Sequence, residues 1–187
     1  MEIHIENLCK SYGGSPVLKN VSFTAGPGVT CIMAPSGSGK TTLLRILLGL
    51  ERPDSGTVGL PEKCSWSAVF QEDRLLEGLD AMGNLRFVLG SALDEAAALA
   101  LLAELGLEDA VGKPAREFSG GMKRRLALAR ALLAPFDVLA LDEPFTGLDQ
   151  DNRERAWRCV REHAAGKPVL LVSHELPPEG AYDLVRL

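Results

Sequence analysis

The stretch Ala34-Pro35-Ser36-Gly37-Ser38-Gly39-Lys40-Thr41-Thr42 constrains this chain more than any other. It follows the apolar run Val29-Thr30-Cys31-Ile32-Met33 and leads into Leu43-Leu44-Arg45-Ile46-Leu47-Leu48, so strand, glycine-rich loop and helix come in the order a phosphate cradle needs. Small residues let consecutive backbone N–H groups turn inward on an anion, and the helix N-terminus adds its partial positive charge. Lys40 has the length to reach the β- and γ-phosphates of a nucleotide, and Thr41 offers its hydroxyl to Mg²⁺. Against the template G-x-x-x-x-G-K-[ST], Ala34 stands where the first glycine is usually written, while Gly37 and Gly39, nearest the phosphate, are in place. The competing reading is a glycine-rich turn that binds nothing; the strand before it and the helix after it count against that.

At 187 residues the chain has length for one domain with a sizeable core and a small inserted subdomain. No run approaches the ~18 apolar residues of a membrane span, and the N-terminus lacks a basic-then-apolar leader, so the expectation is a cytosolic chain that meets a membrane only through a partner. A net charge of −5 lacks the basic footprint of a nucleic-acid binder. Cys9, Cys31, Cys64 and Cys159 are scattered, without a C-x-x-C pair, and read as packing residues in a reducing compartment.

Ile3, Ile5 and, past a break, Leu8 alternate with polar residues, and Val17, Val21 and Phe23 suggest a second strand, so the start reads as an antiparallel β layer. Tyr12 is placed on the loop 10–14 between them, where a ring could stack on a base; taken alone it is more readily an ordinary half-buried tyrosine. After the phosphate loop, Leu43, Ile46, Leu47 and Leu50 make one helix face. Residues 57–60 and 65–70 read as short strands, the second delivering Gln71. From Glu72 to about Lys113 the pattern turns helical, with candidate helices at 82–89 and 95–105, and it continues into a helix N-capped by Ser119 and stopped by Pro135. In that helix Met122, Leu126, Ala129 and Leu133 make the buried stripe, with Lys123, Arg124 and Arg130 on the solvated side.

Val138-Leu139-Ala140-Leu141 reads as a central parallel strand covered on both faces, ending in Asp142-Glu143. A helix over 151–164 and a buried strand over 168–173 follow, the strand delivering His174, and 182–187 adds a last strand. Ligands of open α/β sheets sit outside the carboxyl ends of strands, so Asp142, Glu143, His174 and the phosphate loop should share a crevice. Asp142 suits Mg²⁺ held through water, with Thr41 as direct ligand, and Glu143 suits the general base that faces an attacking water.

With these residues in order, and Phe118-Ser119-Gly120-Gly121-Met122 just ahead of the Asp142-Glu143 strand, the chain resembles the ATPase subunit of ATP-binding cassette (ABC) transporters over almost its whole length. The fold implied is α/β: a P-loop NTPase (RecA-like) core with an antiparallel β layer and an inserted helical subdomain, a single domain over 1–187 with 72–134 as the insertion and 1–71 plus 135–187 as the nucleotide-binding core. The resemblance implies ATP and Mg²⁺ as cofactors, with Ala34 to Thr42 on the phosphates and Tyr12 stacking on adenine. It makes Gln71 a loop glutamine that senses metal and nucleotide, Ser119-Gly120-Gly121 a signature acting on the nucleotide of a second chain, Asp149 a loop aspartate at that dimer boundary, and His174 a contact to the γ-phosphate beside Lys40 and Glu143. It further implies a head-to-tail homodimer, integral membrane transporter subunits, an extracytoplasmic solute-binding protein, no nucleic acid, and a position on the inner face of the cell membrane. The stretch 72–84 is expected to carry the membrane-subunit contact, with Leu75, Leu76, Leu79 and Met82 as apolar anchors.

Phe118 replaces the usual leucine of the signature and Met122 the usual glutamine. Together with Gln71-Glu72-Asp73-Arg74-Leu75-Leu76, Met122 is similar to the nitrate, sulfonate and taurine importer group. Two other readings stay open at this level: a cytosolic ATPase of the same fold acting on nucleic acid or another protein, and a degenerate subunit that binds ATP only to dimerise. The co-occurrence of Lys40, Gln71, Glu143 and His174 opposes the last.

Overall fold

The computed structural model describes residues 1–35, 37–61 and 63–187; Ser36, expected on the phosphates, lies outside the described residues. Two units make up the chain, Met1–Ala68 with Phe136–Glu143 and Gly166–Leu187, and Val69–Pro135 with Pro144–Ala165.

In the first unit β1 (Ile3–Tyr12) and β2 (Ser15–Ala25) form an antiparallel hairpin closed by Gly13–Gly14. Tyr12 is therefore the last residue of a strand, paired with Ser15, and not a loop residue as expected. The break in alternation is real: Asn7 adopts a φ of 50°, and the β1–β2 register shifts between Ile5 and Leu8, which returns Leu8 to the buried side shared by Ile3 and Ile5. β3 (Gly28–Met33) runs into the phosphate loop, followed by α1 (Lys40–Leu47), β4 (Ser55–Gly59), which pairs with the other edge of β1, and β5 (Trp66–Val69). β6 (Val138–Asp142), β7 (Pro168–Val172) and β8 (Tyr182–Arg186) complete a five-stranded sheet of order β5-β6-β7-β3-β8, in which β6/β7, β7/β3 and β3/β8 are parallel.

One hydrophobic core joins the layers of this unit: Ile3, Ile5 and Leu8 from β1, Leu43, Leu44 and Leu47 from α1, and the alternate residues Val138, Ala140, Leu170 and Val172 of the parallel strands. The intervening residues of β6 and β7 are buried too, which is why both strands read as unbroken apolar runs. Each buried leucine of α1 contributes about 1.5–3 kcal/mol, and their sum fixes the helix start, and so Lys40 and Thr41, against the sheet. Leu50 corrects the sequence reading: it is 63% exposed, because α1 ends at Leu47 and Gly49, at φ 69°, turns the chain away before the helical period could bring Leu50 inward.

The second unit is helical: α2 (Ala81–Leu89), α3 (Glu95–Glu104), α4 (Gly120–Leu133) and α5 (Gln150–His163). Asp80, Asp94, Ser119 and Asp149 cap their N-termini through side-chain oxygens, Ser119 as expected. This unit takes in residues 144–165 beside the expected 72–134, because α5 packs on α3 and α4 and its Trp157 meets Phe145 edge to face at 6.0 Å.

Candidate functional site

The phosphate loop of the first unit is shaped by two glycines in different ways. Gly37 adopts a φ of 80° in open space. Gly39, at φ 92°, is hemmed in as well: a Cβ there would stand 2.7 Å from Val17 Cγ1 and 2.8 Å from Leu18 Cδ2, so side-chain space and backbone sign both demand glycine. Ala34 is absent from the residues of positive φ, so this departure from the template carries no backbone strain. The Ala34 carbonyl helps to close the loop. Lys40 Nζ donates to Ala34 O at 2.7 Å and to Pro35 O at 3.1 Å, and this lysine, only 8% exposed, ties the loop's start to its end. Ser38 Oγ donates to Pro35 O at 2.7 Å. Thr41 and Thr42 lie in the first turn of α1.

Thr41 Oγ1 donates to Asp142 Oδ2 at 2.7 Å, although the two residues stand 101 positions apart in the sequence. Asp142, the last residue of β6, is buried. A hydroxyl and a carboxylate oxygen side by side are hard donors, and the described residues contain no cluster of three His, Cys, Asp or Glu that would cage a metal. That donor set fits Mg²⁺, which keeps waters and takes phosphate oxygens in place of a full protein cage.

Glu143 follows directly. It holds a φ of 51°, costly for a residue with a side chain, while its N–H donates to Val172 O at 2.9 Å. Its Oε1 lies 3.0 Å from His174 Nε2, an ion-pair approach without hydrogen-bond alignment, so Oε1 is buried and lacks a proper donor. Burial pushes the Glu143 carboxyl above the ordinary glutamate range, with Asp142 adding to the shift and His174 and Lys40 opposing it. His174, two residues past β7, is half exposed. The first unit thus brings together Lys40, Thr41, Asp142, Glu143 and His174.

Tyr12 stands in the same unit on the outer end of β1, 45% exposed, with Lys10 Nζ 5.2 Å from its ring centroid. Gln71, Ser119, Gly120, Gly121 and Asp149 all belong to the second unit. There an open cleft of about 510 Å³ is lined by Ser119, Gly120, Gly121, Arg125, Thr146 and Asp149 among others. Ser119 Oγ accepts from Met122 N at 3.2 Å, and Gly121 sits so close to the 147–148 turn that a Cβ would lie 3.4 Å from Leu148 Cδ2. Asp149 accepts from both the backbone and the side chain of Asn152 at 2.8 Å, and these bonds hold its carboxyl below the usual range.

Arg124 and Arg130 overturn the solvated-face expectation. Arg124 is 7% exposed; its guanidinium donates to Phe70 O at 2.7 Å and to Gln71 O, and pairs with Asp73 Oδ1 at 3.2 Å. Arg130 donates to Arg74 O at 2.8 Å and Asp73 O at 2.9 Å. The backbone carrying Gln71 is thereby fastened to α4, a role no helical period signals. Met122 and Leu133, expected in the buried stripe, are half-buried, and Arg125 occupies the interior instead, donating to Leu105 O and Gly106 O. Asn84 is a second buried residue that sequence reasoning missed: it accepts from Leu76 N and donates to the carbonyls of Leu76, Leu79 and Asp80, pinning the loop before α2.

Comparison with known proteins identifies the family and the fold. The family profile described as ABC transporter matches residues 18–146. The aliphatic sulfonates import ATP-binding protein of Agrobacterium fabrum is 41% identical over 182 residues, 91% of this chain and 64% of that protein. The Nod factor export ATP-binding protein I of Paraburkholderia xenovorans is 39% identical, over 92% of this chain and 62% of that protein. The chain therefore spans a little under two thirds of the length of these two relatives. A solved structure described as the ATP binding subunit of an ABC transporter superimposes with a TM-score of 0.82 at 25% identity, covering 94% of this chain and 80% of that one. Motifs, fold and relatives converge: the chain belongs to the ABC transporter family and carries its ATPase domain.

Proposed function

We propose that this chain hydrolyses ATP to drive a solute through separate membrane-spanning subunits, in the direction of import. The observation that carries the reading is the convergence, within one unit, of a phosphate loop, the Thr41–Asp142 pair and the Glu143–His174 pair. Lys40 and the loop N–H groups bind the phosphates; Lys40 exchanges its loop carbonyls for phosphate oxygens. Thr41 and Asp142 would hold Mg²⁺, which supplies charge neutralisation on the phosphate oxygens when bound. Glu143 takes the proton of the attacking water, and burial, which raises its carboxyl pKa, makes it a stronger base than an ordinary glutamate. His174 orients Glu143 and reaches the γ-phosphate, Tyr12 stacks on adenine, and Gln71 reports the metal site to the helical segment 72–134.

Import is favoured over export by the Gln71–Leu76 and Met122 likeness to the sulfonate group; a relative that exports Nod factor carries the opposite direction in its name. No helix among the described residues is long and apolar enough to cross a membrane. In this reading separate subunits supply the passage and hold the chain at the cytoplasmic face. A second copy, head to tail, brings Ser119-Gly120-Gly121 and Asp149 to the nucleotide of the first, and an extracytoplasmic solute-binding protein feeds the importer. The loop before α2 carries the membrane contact. Leu76 and Leu79 are exposed there on a backbone fixed by Asn84, whereas Met82, expected among the anchors, is buried and packs the helix.

The primary test is phosphate release by the purified chain with ATP, with Mg²⁺ or with a chelator. Release that needs Mg²⁺ and disappears in Glu143→Gln supports the reading; no release above that variant's background overturns it. Cysteine crosslinking from Glu77 in native membranes should trap an integral membrane protein, and failure to trap one while Asp151 does so would remove the docking loop.

A further inference from the structure

The end of β1 is irregular. The β1–β2 register shifts on both sides of Lys10, and Tyr12 pairs with Ser15 directly at the Gly13–Gly14 turn. A side-chain network braces this end. Lys10 Nζ donates to Arg52 O at 2.9 Å, pairs with Glu51 Oε1 at 3.0 Å and lies 3.5 Å from Asp54 Oδ1, while its charge sits 5.2 Å from the Tyr12 ring centroid, within cation–π reach. Asp54 clamps the backbone around it: its N–H donates to Cys9 O at 2.9 Å, and its Oδ2 accepts from Ser11 N at 2.7 Å. Glu51 completes the cage around the ammonium, its carboxyl held below the usual range first by the hydrogen bond with Lys10, with Tyr12 and Arg45 acting in the same direction.

Ordinary surface lysines do not look like this. The Lys10 side chain is 13% exposed with three oxygen partners, whereas the tyrosine beside it is left 45% exposed. A cation pinned beside the ring restrains its rotamer, while the tyrosine stays open to a flat partner. Immobilising such a side chain in advance removes an ordering penalty from the binding step.

We infer that Lys10, locked by Glu51 and Asp54, is a positioning residue that pre-orients Tyr12 to stack on the base of the bound nucleotide. The inference rests on the proposed ATP site and assigns the network between β1 and residues 51–54 a share of the affinity for the base, none of the affinity for the phosphates.

The test compares two ligands on one protein: ATP, which has a base, and inorganic tripolyphosphate, which does not, each titrated calorimetrically with Mg²⁺. Lys10→Met should weaken ATP by about three- to tenfold and leave tripolyphosphate unchanged. Glu51→Gln, which keeps the lysine, should move ATP in the same direction, and it serves if Lys10→Met fails to fold. In a Tyr12→Ala background Lys10→Met should change ATP affinity no further. Equal weakening of both ligands, or a full effect of Lys10→Met without the tyrosine, would assign Lys10 a structural role and overturn the inference. So would unaltered ATP affinity in both single variants. A wild-type chain that binds ATP no more tightly than tripolyphosphate overturns the base contact altogether, and one that binds neither overturns the proposed site itself.

Discussion

Glu143→Gln separates charge from shape at one atom. The glutamine keeps the side-chain volume and is expected to keep the φ of 51° and the N–H bond to Val172 O, while it removes the basic oxygen and its charge. On the proposed reading, loss of the general base should lower turnover by a factor of about 10²–10⁴, which is ~2.7–5.5 kcal/mol of barrier, whereas ATP affinity, which the proposed site draws from other residues, should stay within about threefold. The same substitution has a predicted effect on stability, of opposite sign. Because burial raises the Glu143 pKa, the folded chain binds this proton more tightly than the unfolded chain does. As pH climbs from the ordinary carboxylate range through the raised folded value, the unfolded chain releases its proton first and stability is lost; above that value the loss is complete. At neutral pH the ionised carboxylate thus opposes folding, and glutamine removes that opposition. The assays are single-turnover and steady-state phosphate release with ATP and Mg²⁺, and urea melts of the ligand-free chain at about pH 7.5 and about pH 4.5. The variant should melt later than wild type at the higher pH, with the gap closing at the lower. Undiminished turnover would sink the base assignment, and a variant less stable at neutral pH would refute the burial argument behind it.

Gly39→Ala should cost about 2–5 kcal/mol from backbone strain plus the clash with Val17 and Leu18, and Gly37→Ala, with open space around it, only about 1–2 kcal/mol; equal urea midpoints would refute the distinction. Ala34→Gly should leave ATP affinity within about threefold, since Ala34 needs no positive φ, and tightening beyond about tenfold in a calorimetric titration would expose a real handicap. Arg124→Met removes the donors to Phe70 O and Gln71 O and strands the Asp73 carboxylate, so thermal melting should report a loss of about 2–4 kcal/mol. An unshifted melting midpoint there would mean that the guanidinium does not hold the loop.

Most of the architecture was legible because local and global signals agree in it. The β3–loop–α1 order, the doubly buried strands β6 and β7 and the Ser119 cap each follow from a pattern only a few residues wide. Misreadings have two sources, a short turn that fixes an element's end and a partner far away in the sequence. Leu50 continues an apolar period, yet Gly49 has already ended the helix. Tyr12 looked like a loop residue because the hairpin turn needs only Gly13 and Gly14, while the sequence offers a longer run of polar and small residues around them. The meeting of Thr41 with Asp142 was readable from strand-end logic, but the misaligned approach of His174 to Glu143, and the buried oxygen it leaves, depend on a backbone φ that no residue type announces.

Arg124 and Arg130 show the same limit with a functional consequence. A helical wheel assigns arginines to solvent because a guanidinium in a core needs acceptors, and a wheel contains only the helix's own residues. Here the acceptors are carbonyls of Phe70, Gln71, Asp73 and Arg74, far earlier in the chain. Arg74 holds a φ of 48°, which bends the segment so that its carbonyls face one helix. Hydrogen bonds from both guanidinium groups and the Arg124–Asp73 ion pair then bind a loop that has no regular structure of its own to α4, whose first turn is capped by Ser119. Within the second unit the backbone of Gln71 cannot shift without either breaking charge-assisted bonds in a partly dry environment or carrying α4, and Ser119 with it. The two stretches that the sequence presents as separate motifs are one mechanical block, and the residues that make them so are the pair a pattern-based reading sets aside.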